Sequence, residues 1–244
     1  MRKFALLASV ALAAASPAHA ALFTTASLFT PEAAGGTTTA IKLQGISPPS
    51  QSTISGSGYT ITFNVDANQG VVKGSAPNLR AVPVAGVSGG NPTYLTGDFG
   101  SAQTTNIAQS GNYLSTGGAT KSITITFNTA QTSFALLWGS IDSVNQIAFN
   151  NATKDVLTGA RVQTLAAGFV GNGFQGPGGS AYVATTSSTP FTTVTLSSGV
   201  VSFESAGLVA STGTFATVPE PVSLAVLGAG LAGLGLVRRN RRAA

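Results

Sequence analysis

The chain has no cysteine, a single histidine, a single tryptophan and only 8% charged residues. Without cysteine it can form no disulfide, no thiolate metal site and no cysteine nucleophile. The one histidine, His19, falls in a segment expected to be removed on export. The mature chain then carries neither His nor Cys, which excludes the usual base of nucleophilic triads and the commonest metal ligands. A phosphate loop is missing too. The run 168–179 is glycine-rich but lacks the Lys-Ser/Thr ending and a following helix, and it reads as a mobile loop. No cofactor is expected.

Charge of one sign is scarce where it would matter. The formal charge is +5, but Arg2 and Lys3 stand at one end and Arg238, Arg239, Arg241 and Arg242 at the other. Between Ala21 and Val218 there are six bases (Lys42, Lys73, Arg80, Lys121, Lys154, Arg161) and six acids (Glu32, Asp66, Asp98, Asp142, Asp155, Glu204). A nucleic-acid partner needs a basic face to neutralise phosphates, and this neutral middle has none to offer. The basicity belongs to the two ends.

Those ends look like address labels. Arg2 and Lys3 precede an apolar run from Phe4 to Ala15; Ser16-Pro17 then breaks the helix before Ala18-His19-Ala20. The small residues Ala18 and Ala20 suit a signal peptidase, so cleavage is expected after Ala20 with Ala21 as the new terminus. At the other end Val218-Pro219-Glu220-Pro221 precedes the uncharged run Val222–Val237, and the four arginines follow. As a helix that run reaches roughly 24–26 Å, just short of a hydrocarbon core. Arginines resist crossing, so the expected topology puts the N-terminus outside and the C-terminus in the cytoplasm.

The tail resembles the PEP-CTERM sorting signal in its Val218–Pro221 motif, its short transmembrane run and its Arg238–Arg242 cluster. The resemblance implies recognition by an exosortase, an integral membrane transpeptidase-like enzyme that cuts near the Pro-Glu-Pro motif. The inner membrane would hold the precursor only transiently. The product would reach the surface or extracellular matrix of an exopolysaccharide-producing Gram-negative bacterium.

Three parts are therefore expected: a signal peptide (1–20), an extracytoplasmic domain (21–217) and the sorting tail (218–244). In the tail the motif is 218–221, the transmembrane helix 222–237 and the basic end 238–244. The domain reads as short alternating strands punctuated by Gly, Ser, Thr, Asn and Pro. Tyr59, Ile61, Phe63 and Val65 share one face of their segment, and Thr60, Thr62, Asn64 and Asp66 the other. Lys121–Asn128 repeats the scheme. Other expected strands are 40–46, 79–87, 133–141, 146–150, 156–163, 181–185, 191–196 and 200–209. No amphipathic helix is evident between the two terminal segments. The expected fold is all-β, a single antiparallel, jelly-roll-like β-sandwich. Ser133–Ile141 is expected as a buried strand holding Trp138 in the core, with 146–149 as its hairpin partner and Asp142 and Asn145 capping the turn.

This domain also resembles one family of exosortase-dependent surface proteins. The likeness runs through Gly70–Ser75, Tyr94-Leu95, the Leu137-Trp138-Gly139-Ser140-Ile141-Asp142-Ser143-Val144-Asn145 core, Tyr182-Val183 and Phe203-Glu204. It implies a secreted β-domain without enzymatic activity. Where Asp or Asn would follow Phe203-Glu204, Ser205-Ala206 stands instead.

For chemistry, Asp142 and Glu204 are the one carboxylate pair to consider for glycoside hydrolysis, which needs two acids facing across a sugar. Glu204 is expected to be solvated or paired with a base. Asn64, Asp66 and Asn68 place oxygen side chains at alternate positions, a weak calcium pattern lacking the downstream bidentate Glu. The leading function is a non-catalytic surface or matrix protein associated with extracellular polysaccharide. The alternative is a carbohydrate-binding module, which would need exposed tyrosines among Tyr59, Tyr94, Tyr113 and Tyr182 to stack on sugar rings.

Overall fold

A computed structural model describes residues 21–214, apart from 28–34, 44, 51, 85–93, 96–103, 106–110 and 151–154. The cleavage residues Ala18 and Ala20 and the whole sorting tail lie outside the described residues. Among those described, no helix is long and apolar enough to cross a membrane.

The chain is all-β. In order it forms β1 (Leu22–Ser27), β2 (Thr38–Ala40), β3 (Ile54–Gly56), β4 (Tyr59–Asn64), β5 (Gly70–Lys73), β6 (Tyr94–Leu95) and β7 (Thr104–Thr105). There follow β8 (Asn112–Thr116), β9 (Ser122–Gly139), β10 (Asn145–Phe149), β11 (Val156–Thr158), helix α1 (Gly159–Leu165), β12 (Ala181–Ser198) and β13 (Phe203–Ser211). β6 and β7 pair with each other; the other eleven strands join in one antiparallel sheet.

Two strands of 18 residues, β9 and β12, run the length of this sheet and give it two arms. In the first arm, 122–127 of β9 lies between β4 and 193–197 of β12, with β10 and β11 beyond. In the second, 133–139 of β9 lies between 181–186 of β12 and β13, with β8 and β5 beyond and β1 on the other side of β12. The ladder is irregular around Phe191, between the arms. There the inward residues of β9 change from odd (Ile123, Ile125, Phe127) to even (Phe134, Leu136, Trp138), and all six join one core. Aromatic rings continue that core from arm to arm: Phe127 to Phe191 at 6.3 Å, Phe191 to Phe149 at 4.9 Å, Phe149 to Phe134 at 6.4 Å.

Several expectations change. The expected strands 121–128 and 133–141 are one continuous strand, as are 181–185 and 191–196. The polar corners between them look like loops in the sequence, yet they bend rather than end the strands. Pro190 sits at the irregular stretch, where a missing backbone donor costs least. Segment 133–139 does not form a hairpin with β10, because β12 takes the place beside β10. The stretch 156–163 is strand only to Thr158, whose hydroxyl then caps α1 by accepting from Arg161 N. Residues 79–84 form no strand: Leu79 N and Arg80 N donate to Ala76 O, while Ala81 N, Val82 N and Val84 N are met by side chains instead of a ladder. β1, β5 and β8 were not foreseen: they lack a clear two-residue alternation, and β8 is buried along its whole length.

Candidate functional site

The segments carrying the sequence motif converge at one end of the second arm. Trp138 is wholly buried and its ring stacks on Phe203 at 4.6 Å and 22°. One residue on from that pair, on the opposite face of the sheet, β13 presents Glu204 across from Gly139. A side chain at Gly139 would collide with Pro83, whose atoms lie 2.9 Å from where its Cβ would stand. That close approach lets the strap 76–84 lie over the sheet.

Glu204 ties the strap down. Its Oε1 accepts from Ala81 N at 3.1 Å and its Oε2 from Ser140 Oγ at 2.5 Å, and the residue is 1% exposed. The expected solvated or base-paired Glu204 is therefore corrected: the carboxyl is interior and satisfied by neutral donors. Burial pushes it up to about 7, with the Asp142 charge adding to the rise and the hydrogen bonds from Ser140 and Ala81 opposing it. Ser180 Oγ fastens the next turn of the strap, accepting from both Val84 N and Ser140 N. On the same face Tyr113 donates its hydroxyl to Gly74 O at 2.8 Å, and burial raises its pKa strongly.

From Ser140 the chain crosses to the first arm by a turn clasped on every side. Asn145 Oδ1 accepts from Asp142 N at 2.8 Å, and its amide donates to Ser198 Oγ and Ser202 O. The Asx cap expected here is therefore supplied by Asn145. The glycine-rich loop is bonded to this turn: Gly173 N donates to Ile141 O, Ile141 N to Gly179 O, and Ser143 N to Asn172 Oδ1. A loop that reads as mobile in the sequence is one side of the clasp. Gln163 of α1 closes it by donating to Ile141 O.

Asp142 and Glu204, which the sequence could not place together, line one open cleft of about 450 Å³. Asp66, Arg80, Gln69 and Gln175 contribute to its walls. Burial raises Asp142 as well. Glu204 has an oxygen committed to each of its two donors, so the pair does not present two free carboxyls to a sugar.

The calcium candidates end β4 and enter its turn. Asn64 Nδ2 donates to Thr120 O, Asp66 pairs with Lys121 at 2.8 Å, and Asn68 adopts a left-handed φ of 68°. Among the described residues no group of three or more His, Cys, Asp or Glu side chains could hold a metal ion. Tyr59, Tyr113 and Tyr182 are all buried, so none of them is a platform for sugar rings.

Ser140, Ser180, Asn172 and Gln163 carry this site and escaped the sequence reading. Only Ser140 had a signal, its place inside the Trp138–Asn145 motif.

Fold and site define an all-β antiparallel domain with a buried carboxyl locking a strap to a clasped crossover. No family model matches the chain, and no curated protein or solved structure matches it.

Proposed function

We propose that this chain is a non-catalytic exported protein of the cell surface or extracellular matrix, sorted by an exosortase and associated with exopolysaccharide. The observation that carries the reading is the order of three elements: Val218–Pro221, the uncharged Val222–Val237, and Arg238, Arg239, Arg241 and Arg242. A signal peptide ending at Ala20 fits this export route. In this reading 222–237 crosses the inner membrane until the exosortase acts. The finer architecture we propose is a jelly-roll-like sandwich, with the two arms of β9 and β12 as its leaves and the aromatic chain from Phe127 to Phe134 between them. Interior use of Glu204 and of three tyrosines supports a structural rather than a catalytic role.

Intact-mass measurement of protein recovered from outside the cell tests the sorting. The expected product begins at Ala21 and has lost Arg238–Arg242. Glu220→Ala with Pro221→Ala should leave unprocessed precursor in the membrane. Recovery of outside material that still carries the arginines would replace the exosortase with a plain tether.

A further inference from the structure

The wet face of the first arm is a grid of threonines. Three Thr-x-Thr segments, Thr60-Ile61-Thr62 on β4, Thr124-Ile125-Thr126 on β9 and Thr193-Val194-Thr195 on β12, lie on adjacent strands. Their central residues are fully buried, so the threonines point to the opposite face. The pairing sets them in rows: Thr60 opposite Thr126 opposite Thr193, and Thr62 opposite Thr124 opposite Thr195. A third row, Asn64, Ser122, Ser197 and Gln146, continues across β10. It runs into an open cleft of about 430 Å³ that Ser197 and Gln146 help to line.

Strand geometry spaces such hydroxyls about 4.8 Å apart across strands and about 6.7 Å apart along them. β-Branching restricts each χ1, so the hydroxyls and methyls are held in place before any partner arrives. Thr124 and Thr195 are further locked by a 3.2 Å hydrogen bond between their hydroxyls. All ten positions of the three rows are uncharged.

We propose that this face docks a neutral, extended polysaccharide of the β-linked glucan type, the inference resting on the matrix reading above. Such a chain repeats hydroxyl groups along a straight axis and exposes small C–H patches on its ring faces. A preorganised row of Thr hydroxyls and methyls complements both. The one cation beside the grid, Lys121 at the cleft, is already paired with Asp66 at 2.8 Å, so an anionic polysaccharide would find little to compensate the loss of hydration from its carboxylates. Affinity comes from many weak contacts along one chain, so binding rises with polymer length and is insensitive to salt.

The test is co-sedimentation with microcrystalline cellulose, with soluble alginate as the anionic comparison, at low and high ionic strength. The wild-type domain should sediment with cellulose equally at both salt levels and ignore alginate. The double variant Thr62→Val/Thr126→Val keeps β-branched shape while removing two exposed hydroxyls, and should bind at least tenfold more weakly with an unchanged melting temperature. Phe23→Lys, an exposed position on β1 in the other arm, should bind as wild type. Full binding by the valine variant would remove this face as the site and leave the polysaccharide association standing. A wild-type domain that ignores cellulose would overturn the proposal, and if it ignores every polysaccharide the association falls with it. Adsorption to growing ice without glucan binding would overturn it as well, making the grid a template for ordered water.

Discussion

Ser140 Oγ donates to Glu204 Oε2 at 2.5 Å, joining residues 64 positions apart where β9 ends and β13 begins. The other carboxylate oxygen holds Ala81 N of the strap, so one buried side chain fixes three segments. Glu204→Ala leaves a hydroxyl and an amide buried without an acceptor. A loss of about 2–6 kcal/mol is expected, from about 1–3 kcal/mol for each of the two orphaned groups. Urea unfolding of Glu204→Ala, Ser140→Ala and the double variant should give a non-additive cycle, because the residues share one bond. Strict additivity would mean the contact is not formed.

The same carboxyl makes stability depend on pH. Its folded value is raised to about 7 from the ordinary 4.5, chiefly by burial. Between these values the native state binds more protons than the unfolded chain, so stability falls as pH rises through the window. It is greatest below about pH 4.5 and levels off above about pH 7, with a slope of at most about 1.4 kcal/mol per pH unit. Glu204→Gln keeps an acceptor for Ala81 and a donor for Ser140, and should flatten the profile. Urea midpoints measured across the window decide it; a rising wild-type profile would refute the assignment.

Gly159 opens α1, where intrinsic propensity favours alanine by about 1 kcal/mol. The fold predicts the opposite sign. A Cβ at this position would stand 1.9 Å from the carbonyl oxygen of Asp142, inside the clasped turn. Gly159→Ala should therefore lower the melting temperature, whereas Ala160→Gly, one residue along and exposed, should cost only its propensity. Equal effects would argue against the close approach.

Asn145 serves the turn as acceptor and donor at once. Asn145→Ala loses all three contacts at a fully buried position, and a cost of about 2–4 kcal/mol is expected. Asn145→Asp keeps the acceptor for Asp142 N but sets a carboxylate against Ser202 O, and should recover little. By contrast, the Asp66–Lys121 pair is exposed on its Asp66 side, and Lys121→Ala should change stability by less than about 1 kcal/mol. Chemical denaturation of the three variants ranks them.

Much of the fold was legible in local order. The alternation through Tyr59–Asn64 and Ser122–Phe127 announced half-wet strands, and the unbroken apolar run around Trp138 announced a buried one. Which strands would be neighbours was not legible. Nothing near Phe134 or Ile147 indicates that β12, some fifty residues downstream, lies beside β10 in place of β9. The Trp138–Asn145 motif was visible as a motif, but its role as a clasped crossover was hidden, because its partners Asn172, Gly179, Ser198 and Glu204 come from distant segments.

By itself the sequence determined the β character, the wet and buried faces of individual strands, and the neutral middle between two charged ends. These follow from side-chain direction, which alternates residue by residue within a single strand. Only the tertiary structure decided that Glu204 is interior, that the glycine-rich loop is bonded to a turn, and that three separate Thr-x-Thr segments form one grid. Each of those depends on strand register and on which elements pack together, and both are settled by closing long loops around a shared core rather than by any local pattern.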